Sequence, residues 1–305
     1  MAPPPSALYT TTFFLAFLLT LFVAASLRLL AILPHGPFRP TPIRRRPIAT
    51  RVLIVLGSGG HTHEMFYLLR DLDTRKYTHR TYVVSSGDAF SASRAVEFEG
   101  VLEARAREAE REKEERDLAS TNPTIKTRRQ RDNADDTITA RPFCVGPDHY
   151  TITTLPRARA IHQSLLTTPF TCLLTLLSAF GPLLSSPSEL SSPNHNQNPS
   201  TPAPSASPDP YDISTRTPPS LLLTNGPATS VILILASLIL KFFDIRGCAS
   251  QGLCKTIYVE SFARVRKLSL SGRILVWCVD RFLVQWEELE GLGPGGRSEF
   301  WGVLV

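Results

Sequence analysis

Residues 51–64 read Arg-Val-Leu-Ile-Val-Leu-Gly-Ser-Gly-Gly-His-Thr-His-Glu. A short apolar run, Val52 to Leu56, enters a turn that holds Gly57, Ser58, Gly59 and Gly60. Beyond it Met65, Leu68, Leu69 and Leu72 fall at helical spacing. The pattern is strand, tight turn, helix. Such a turn gathers backbone N–H groups and aims a helix N-terminus past the strand end, an arrangement that favours an anion. So many glycines cost chain entropy that a plain turn does not need. His61 stands beside them.

Better-known glycine loops do not match. A P-loop requires Lys after its last glycine, and none follows here. The dinucleotide fingerprint Gly-x-Gly-x-x-Gly requires glycine where Thr62 stands. A zinc reading is also poor. His61 and His63 are two apart, and His-Glu-x-x-His would need histidine at Tyr67. The plain alternative is a glycine-rich turn with no ligand.

The chain has 305 residues, enough for one or two domains. Its net charge of +6 suits a membrane surface or an anionic substrate. No nucleic-acid motif accompanies that charge. The five cysteines (Cys144, Cys172, Cys248, Cys254, Cys278) are odd in number and lack Cys-x-x-Cys spacing. They form neither a disulfide framework nor a zinc site. The two near-acceptors for N-glycosylation, at Asn122 and Asn198, carry proline in the middle position. Both facts agree with a cytosolic catalytic face.

Residues 8–27 carry no charged side chain. About 20 residues span roughly 30 Å as a helix, enough to cross a bilayer. Arg28, Arg39, Arg44, Arg45, Arg46 and Arg51 follow, with no basic residue before. The positive-inside rule then places the C-terminal side in the cytosol. A cleaved signal peptide would carry a basic n-region, absent here. The expected organisation is a single membrane anchor over 1–33, a Pro/Arg-rich linker over 34–50 and one domain over 51–305.

From Arg51 onward, strand and helix patterns alternate. Strands are expected at 52–56, 80–85, 149–155, 220–224, 255–259, 281–286 and 299–305. Helices are expected at 63–71, 90–117, 158–181, 227–243 and 264–277. Such alternation predicts an α/β fold, a Rossmann-like parallel sheet covered by helices. Two insertions interrupt it. Residues 103–136 begin as a solvated charged helix and end as a loop. Residues 185–219 are rich in Ser, Pro and Asn and cannot bury enough apolar surface to order. The nearly uncharged stretch 165–184 reads either as a core helix or as one resting in the membrane interface. Residues 229–240 are too few to span and read as a buried core helix.

In open parallel sheets, ligands bind beyond the carboxyl ends of the strands. Four such ends carry polar residues: Gly57 to His61, Ser85 to Asp88, Thr224 to Pro227, and Glu260 with Ser261 and Phe262. Together they predict one polar rim. Each residue also has a plainer reading. Asn225 can be a turn residue, Glu260 a surface partner of Arg264, and Asp88 the cap of the following helix.

On these segments the sequence resembles a known family. Val-Leu-Gly-Ser-Gly-Gly-His-Thr-x-Glu-Met, Tyr-Val-Val-Ser-Ser-Gly-Asp, Thr-Asn-Gly-Pro, Ile-Tyr-Val-Glu-Ser-Phe-Ala-Arg-Val and Asp-Arg-Phe-Leu-Val-Gln-Trp occur in that family's order. It is the membrane-anchoring subunit of the UDP-N-acetylglucosamine transferase of asparagine-linked glycosylation. The closing Trp301-Gly-Val-Leu-Val305 is similar to that family's tail.

The resemblance implies the N-terminal, acceptor-side half of a two-domain GT-B glycosyltransferase. A separate soluble catalytic subunit would hold UDP-GlcNAc. The bacterial transferase acting on lipid-linked muramyl-pentapeptide carries both halves in one chain, and its first glycine loop ends in a similar Gly-Gly-His. The implied reaction adds the second GlcNAc, β1-4, to GlcNAc-pyrophosphoryl-dolichol. The implied place is the endoplasmic reticulum membrane or nuclear envelope, with one span and a cytosolic domain.

By the same resemblance, Gly57, Ser58, Gly59 and Gly60 cradle the acceptor pyrophosphate, and Asn225 and Gly226 form the second wall. His61 and Glu260 are the catalytic candidates. His61 acts as base or orients the pyrophosphate, and Glu260 orients a sugar hydroxyl or replaces His61 as base. Trp301, Val303, Leu304 and Val305 are expected to bind the partner subunit. No metal and no cofactor are expected. The family usually has glycine where His63 stands, which is tolerable if the side chain points outward. The rival readings are a non-catalytic membrane scaffold and a complete single-chain enzyme.

Overall fold

The computed structural model describes residues 7–34, 50–119, 141–159, 163–164, 167–185, 218–226 and 228–304. The linker expected before residue 50 and most of the second insertion lie outside them, as does Val305. Helix α1 (Ala7–Ile32) stands first. Then come β1 (Arg51–Val55), α2 (Gly60–Leu68), β2 (His79–Ser85), α3 (Ala89–Ala119) and β3 (Tyr150–Leu155). After these follow α4 (Thr168–Leu184), β4 (Leu221–Asn225), α5 (Ala228–Phe242) and β5 (Lys255–Val259). The chain closes with α6 (Leu270–Leu275), β6 (Arg281–Val284) and β7 (Ser298–Phe300).

The strands form one sheet in the order β3-β2-β1-β4-β5-β6-β7. Every pairing in it is parallel. The fold is therefore α/β and Rossmann-like, as the alternation predicted. Strand β1 is buried on both faces, so its alternate residues serve two cores. Val52 and Ile54 join Met65 of α2 and Leu69 at its C-cap on one face. Leu53 and Val55 join Ala179 and Leu183 of α4 and Leu233 and Leu240 of α5 on the other. Helix α5 is the buried core helix the sequence predicted, with Leu233, Ile234, Ala236 and Leu240 fully enclosed.

Boundaries differ in several places, and the helix expected over 158–181 is Thr168–Leu184, with Pro169 in its first turn. The helix expected over 264–277 is only Leu270–Leu275, because the Ser269 side chain accepts from the Gly272 amide at 2.9 Å and starts it there. The strand expected over 299–305 ends at Phe300, and Gly302 (φ +88°) turns the backbone out of the extended region. The charged start of the first insertion continues α3 to 31 residues. Pairs such as Glu103–Arg107 and Glu112–Arg116, four apart, lace its solvated face.

Helix α1 contains a 24-residue stretch, Tyr9–Ile32, of mean hydropathy 2.3, long and apolar enough to cross a membrane. Its Phe13, Phe14, Leu18 and Phe22 are exposed. One polar contact fastens its end to the domain. Arg28 donates from Nε to the Phe242 carbonyl at 2.8 Å and from Nη2 to the Lys241 carbonyl at 2.9 Å. A cation over the last carbonyls of α5 complements the helix dipole and satisfies acceptors that have no intrahelical donor.

Helix α3 is locked to β2 by a buried ion pair. Arg80 and Glu99 are 0% and 3% exposed. Arg80 donates to both Glu99 carboxylate oxygens at 2.6 and 2.8 Å, and the Tyr82 hydroxyl adds a bond at 2.7 Å. Removing one partner strands the other charge in the core. Glu99→Ala is predicted to destabilise the chain by about 3–5 kcal/mol. Glu103→Ala, on the solvated face of the same helix, is predicted to cost under about 0.5 kcal/mol. Denaturant unfolding of the full chain in detergent checks both, and similar losses for the two would contradict the assignment.

His79 opens β2 at 4% exposure, and its Nε2 has no partner. Burial, then the Arg51 and Arg80 guanidinium groups, push its pKa down to about 3. Unfolded histidine takes up a proton near pH 6.5, while the folded one stays neutral until about pH 3. Stability is therefore lost as pH falls below 6.5, by about 1.4 kcal/mol per pH unit. His79→Gln is predicted to flatten that loss between about pH 6.5 and pH 5. Melting curves across that window check it, and an unchanged slope would contradict it.

Candidate functional site

Strand β1 pairs with β2 on one side and β4 on the other, so the strand order reverses between β1 and β4. Crossovers leave toward opposite faces at such a point and open a crevice at the carboxyl ends. A cavity of about 710 Å³ fills that crevice. Gly57, Ser58 and His61 after β1 line it, together with Asn225 and Gly226 after β4. Glu260 and Ser261 after β5 complete the rim. The structure thus gathers three of the four predicted strand ends around one space, and Ser85 reaches it from the fourth.

The glycine turn is built as the sequence predicted. Gly59 adopts φ +63°, open to glycine without strain, and α2 starts at Gly60. Ser58, Gly59 and Gly60 are exposed, and the first amides of α2 have no carbonyl one turn back to bond. The turn is held from below. The Thr62 hydroxyl bonds the Gly57 carbonyl and lies 2.7 Å from the Ser91 hydroxyl. Ser91 in turn donates to Asp88 from its hydroxyl (2.7 Å) and its amide (3.1 Å). Asp88 is therefore the cap of α3, its plainer reading. His63 is exposed, as its departure from the family pattern required.

His61 sits in a slot cut by two glycines. A Cβ on Gly57 would stand 2.6 Å from the His61 Cβ, and one on Gly226 would stand 3.1 Å from Cγ. Gly226 also holds φ +85°. The Asn225 side-chain amide donates to the His61 carbonyl at 2.7 Å, tying the two loops together. The imidazole Nδ1 faces the Glu64 carboxylate, one helical turn on, at 3.6 Å. The other Glu64 oxygen accepts from the Ser261 hydroxyl at 3.0 Å. Burial raises the Glu64 carboxyl, but His61 and Ser261 outweigh it and hold its pKa below the usual carboxylate value.

Glu260 is 1% exposed, and burial pushes its pKa up. Its Oε2 accepts from the Ser269 amide (3.2 Å) and hydroxyl (3.1 Å), and Oε1 from the Ser261 amide (3.3 Å). A side chain at Gly272 would collide with that carboxylate. Glu260 thus braces the start of α6 at the cavity wall. Arg157, Arg159 and Arg264 give the cavity a cationic side. Among the described residues no group of three His, Cys, Asp or Glu side chains is gathered for a metal.

Of the expected partner-binding residues, Trp301, Val303 and Leu304 follow β7 and lie away from this cavity. Trp301 and Val303 are 60% and 57% exposed, and the Arg281 guanidinium stands 5.2 Å from the Trp301 ring. Sequence reading missed Glu64, Arg157 and Arg159 as site residues. The signal for Glu64 was its spacing of three from His61 on a helix.

Comparisons with known proteins show the family. The family described as oligosaccharide biosynthesis protein Alg14 like matches residues 52–304. The chain is similar to the UDP-N-acetylglucosamine transferase subunit alg14 of Aspergillus fumigatus, 34% identical over 272 residues, covering 79% of this chain and 100% of that one. It is similar to the subunit of that name in Schizosaccharomyces pombe, 31% identical over 262 residues, covering 86% and 87%. The Mus musculus subunit is 28% identical over 270 residues, with 88% of each chain covered. No solved structure matches. Since the match runs from β1 past β7 and takes in every loop of the cavity, the chain belongs to the Alg14-like family of oligosaccharide biosynthesis proteins.

Proposed function

We propose that this chain is the membrane-anchored, acceptor-binding subunit of a heteromeric UDP-GlcNAc transferase of asparagine-linked glycosylation. It adds the second GlcNAc, β1-4, to GlcNAc-pyrophosphoryl-dolichol on the cytosolic face of the endoplasmic reticulum. The observation that carries this reading is the position of His61, fixed in a glycine slot beside exposed amides at the switch point of the sheet. The relatives' names describe a transferase subunit, which supports a partner chain that brings the donor nucleotide. The anchor over 1–33 and linker over 34–50 keep the domain over 51–305 beside a lipid acceptor, which raises its local concentration.

The acceptor pyrophosphate rests on the amides of Ser58, Gly59 and Gly60 and the N-terminus of α2, with Arg157 and Arg159 opposite. His61 takes the proton of the acceptor 4-hydroxyl as its oxygen bonds C1 of the donor sugar. The C1–O bond to UDP breaks on the far side, which inverts the centre, and UDP leaves with the electron pair. Glu260, held by Ser269 and Ser261, orients a sugar hydroxyl rather than moving a proton. Asn225 and Gly226 keep the second wall in register with the first. The exposed edge at Trp301 and Val303, continued by Leu304 and Val305, meets the partner subunit.

Reconstitution of the full chain with its soluble partner and UDP-GlcNAc tests the reading. His61→Ala is predicted to lower kcat by about 100- to 10,000-fold while partner capture is kept. Glu260→Gln is predicted to raise the acceptor KM more than it lowers kcat. A His61→Ala complex with full activity would leave the chain a recruiting scaffold, with its catalytic groups on the partner.

A further inference from the structure

We propose that Glu64 is the positioning residue for His61: its carboxylate fixes the imidazole with Nδ1 inward and Nε2 toward the acceptor, and faces the imidazolium formed on proton transfer. The inference rests on the reading of His61 as the base.

Three observations carry it. First, His61 Nδ1 and Glu64 Oε2 are both sealed from solvent, and neither has a hydrogen-bond partner elsewhere. They face each other at 3.6 Å. Each would be costly left alone, and a contraction of well under 1 Å makes them a hydrogen bond. Catalytic hydrogen bonds are commonly long before the substrate arrives. Second, the carboxylate is itself oriented. Ser261 donates to its other oxygen at 3.0 Å from the end of β5, 197 residues away in sequence. Third, the imidazole has little room to turn elsewhere. Gly57 and Gly226 close around it without a Cβ, and Asn225 holds its carbonyl. Histidine and carboxylate from α2 and a hydroxyl from the loop after β5 thus form a chain, Ser261 to Glu64 to His61 Nδ1.

The chemistry balances simply. Neutral His61 carries its proton on Nδ1, turned to Glu64, and takes the acceptor hydroxyl proton on Nε2. The resulting imidazolium is paired with a carboxylate that stays ionised at neutral pH. The other charged groups lining the same cavity are Glu260, Arg264, Arg157 and Arg159. The three arginines disfavour an imidazolium, which makes the Glu64 charge the compensating one.

The test is Glu64→Gln in the reconstituted complex. Glutamine keeps the Ser261 contact and removes the charge. The expected result is a kcat lowered about 10- to 100-fold at saturating acceptor, with acceptor KM changed less than about threefold. Glu64→Asp restores part of the rate. On a His61→Ala background, Glu64→Gln has no further effect. An acceptor KM raised as much as kcat falls, or an effect that multiplies with His61→Ala, would overturn the positioning role. Full activity of His61→Ala alone would instead overturn the reading of His61 as base, so the two failures are distinguishable.

Discussion

Parallel pairing of β1 with β4, from Val52–Leu221 to Val55–Thr224, is the constraint from which the site follows. The strands before it run outward to β3, and those after it run outward to β7. The helices that follow these two strands, α2 and α5, therefore pack on opposite faces, and no crossover covers the gap between the two strand ends. One register step would change which loops meet there. As paired, the glycine turn meets Asn225 and Gly226, and His61 is caught between them. Gly226 is thus explained twice, by its φ of +85° and by the ring it admits, and Gly57 by the ring.

The rim is stiff for a site built from loops. Behind the glycine turn, Thr62, Ser91 and Asp88 form a chain of hydroxyl and carboxylate contacts ending at the cap of α3. That helix is bound to β2 by the buried Arg80–Glu99 pair. On the other wall Glu260 joins β5 to α6. Both walls are therefore anchored to the sheet through satisfied polar groups, which hold a geometry that apolar packing alone would leave loose. At the opposite end, Arg28 couples the apolar helix α1 to the C-terminus of α5. The apolar helix and the sheet domain meet at a defined joint.

Much of the sheet was legible because each strand is a short apolar run bounded by turn residues. The glycine turn was legible because its residues follow one another in the chain. Other features were not, for physical reasons. Ser269 ended a helical pattern that apolar spacing alone carried back to residue 264. The plainer reading of Glu260 paired it with its neighbour Arg264, whereas its carboxylate reaches Ser269 through the fold. Glu64 lies on an ordinary-looking helix face, and its meaning depends on Ser261, brought there by the β1-β4-β5 order. Sequence spacing carries contacts within an element. Contacts between elements appear only when the topology is known.

The central claim is that the acceptor diphosphate binds this chain at the carboxyl ends of β1 and β4. The most direct measurement is the attachment site of a photoactivatable GlcNAc-pyrophosphoryl lipid in the assembled, active complex. The account predicts label on peptides carrying Gly57–His61 and Asn225–Ser230, displaced by unlabelled acceptor. Label confined to the partner subunit, with activity intact, would contradict it.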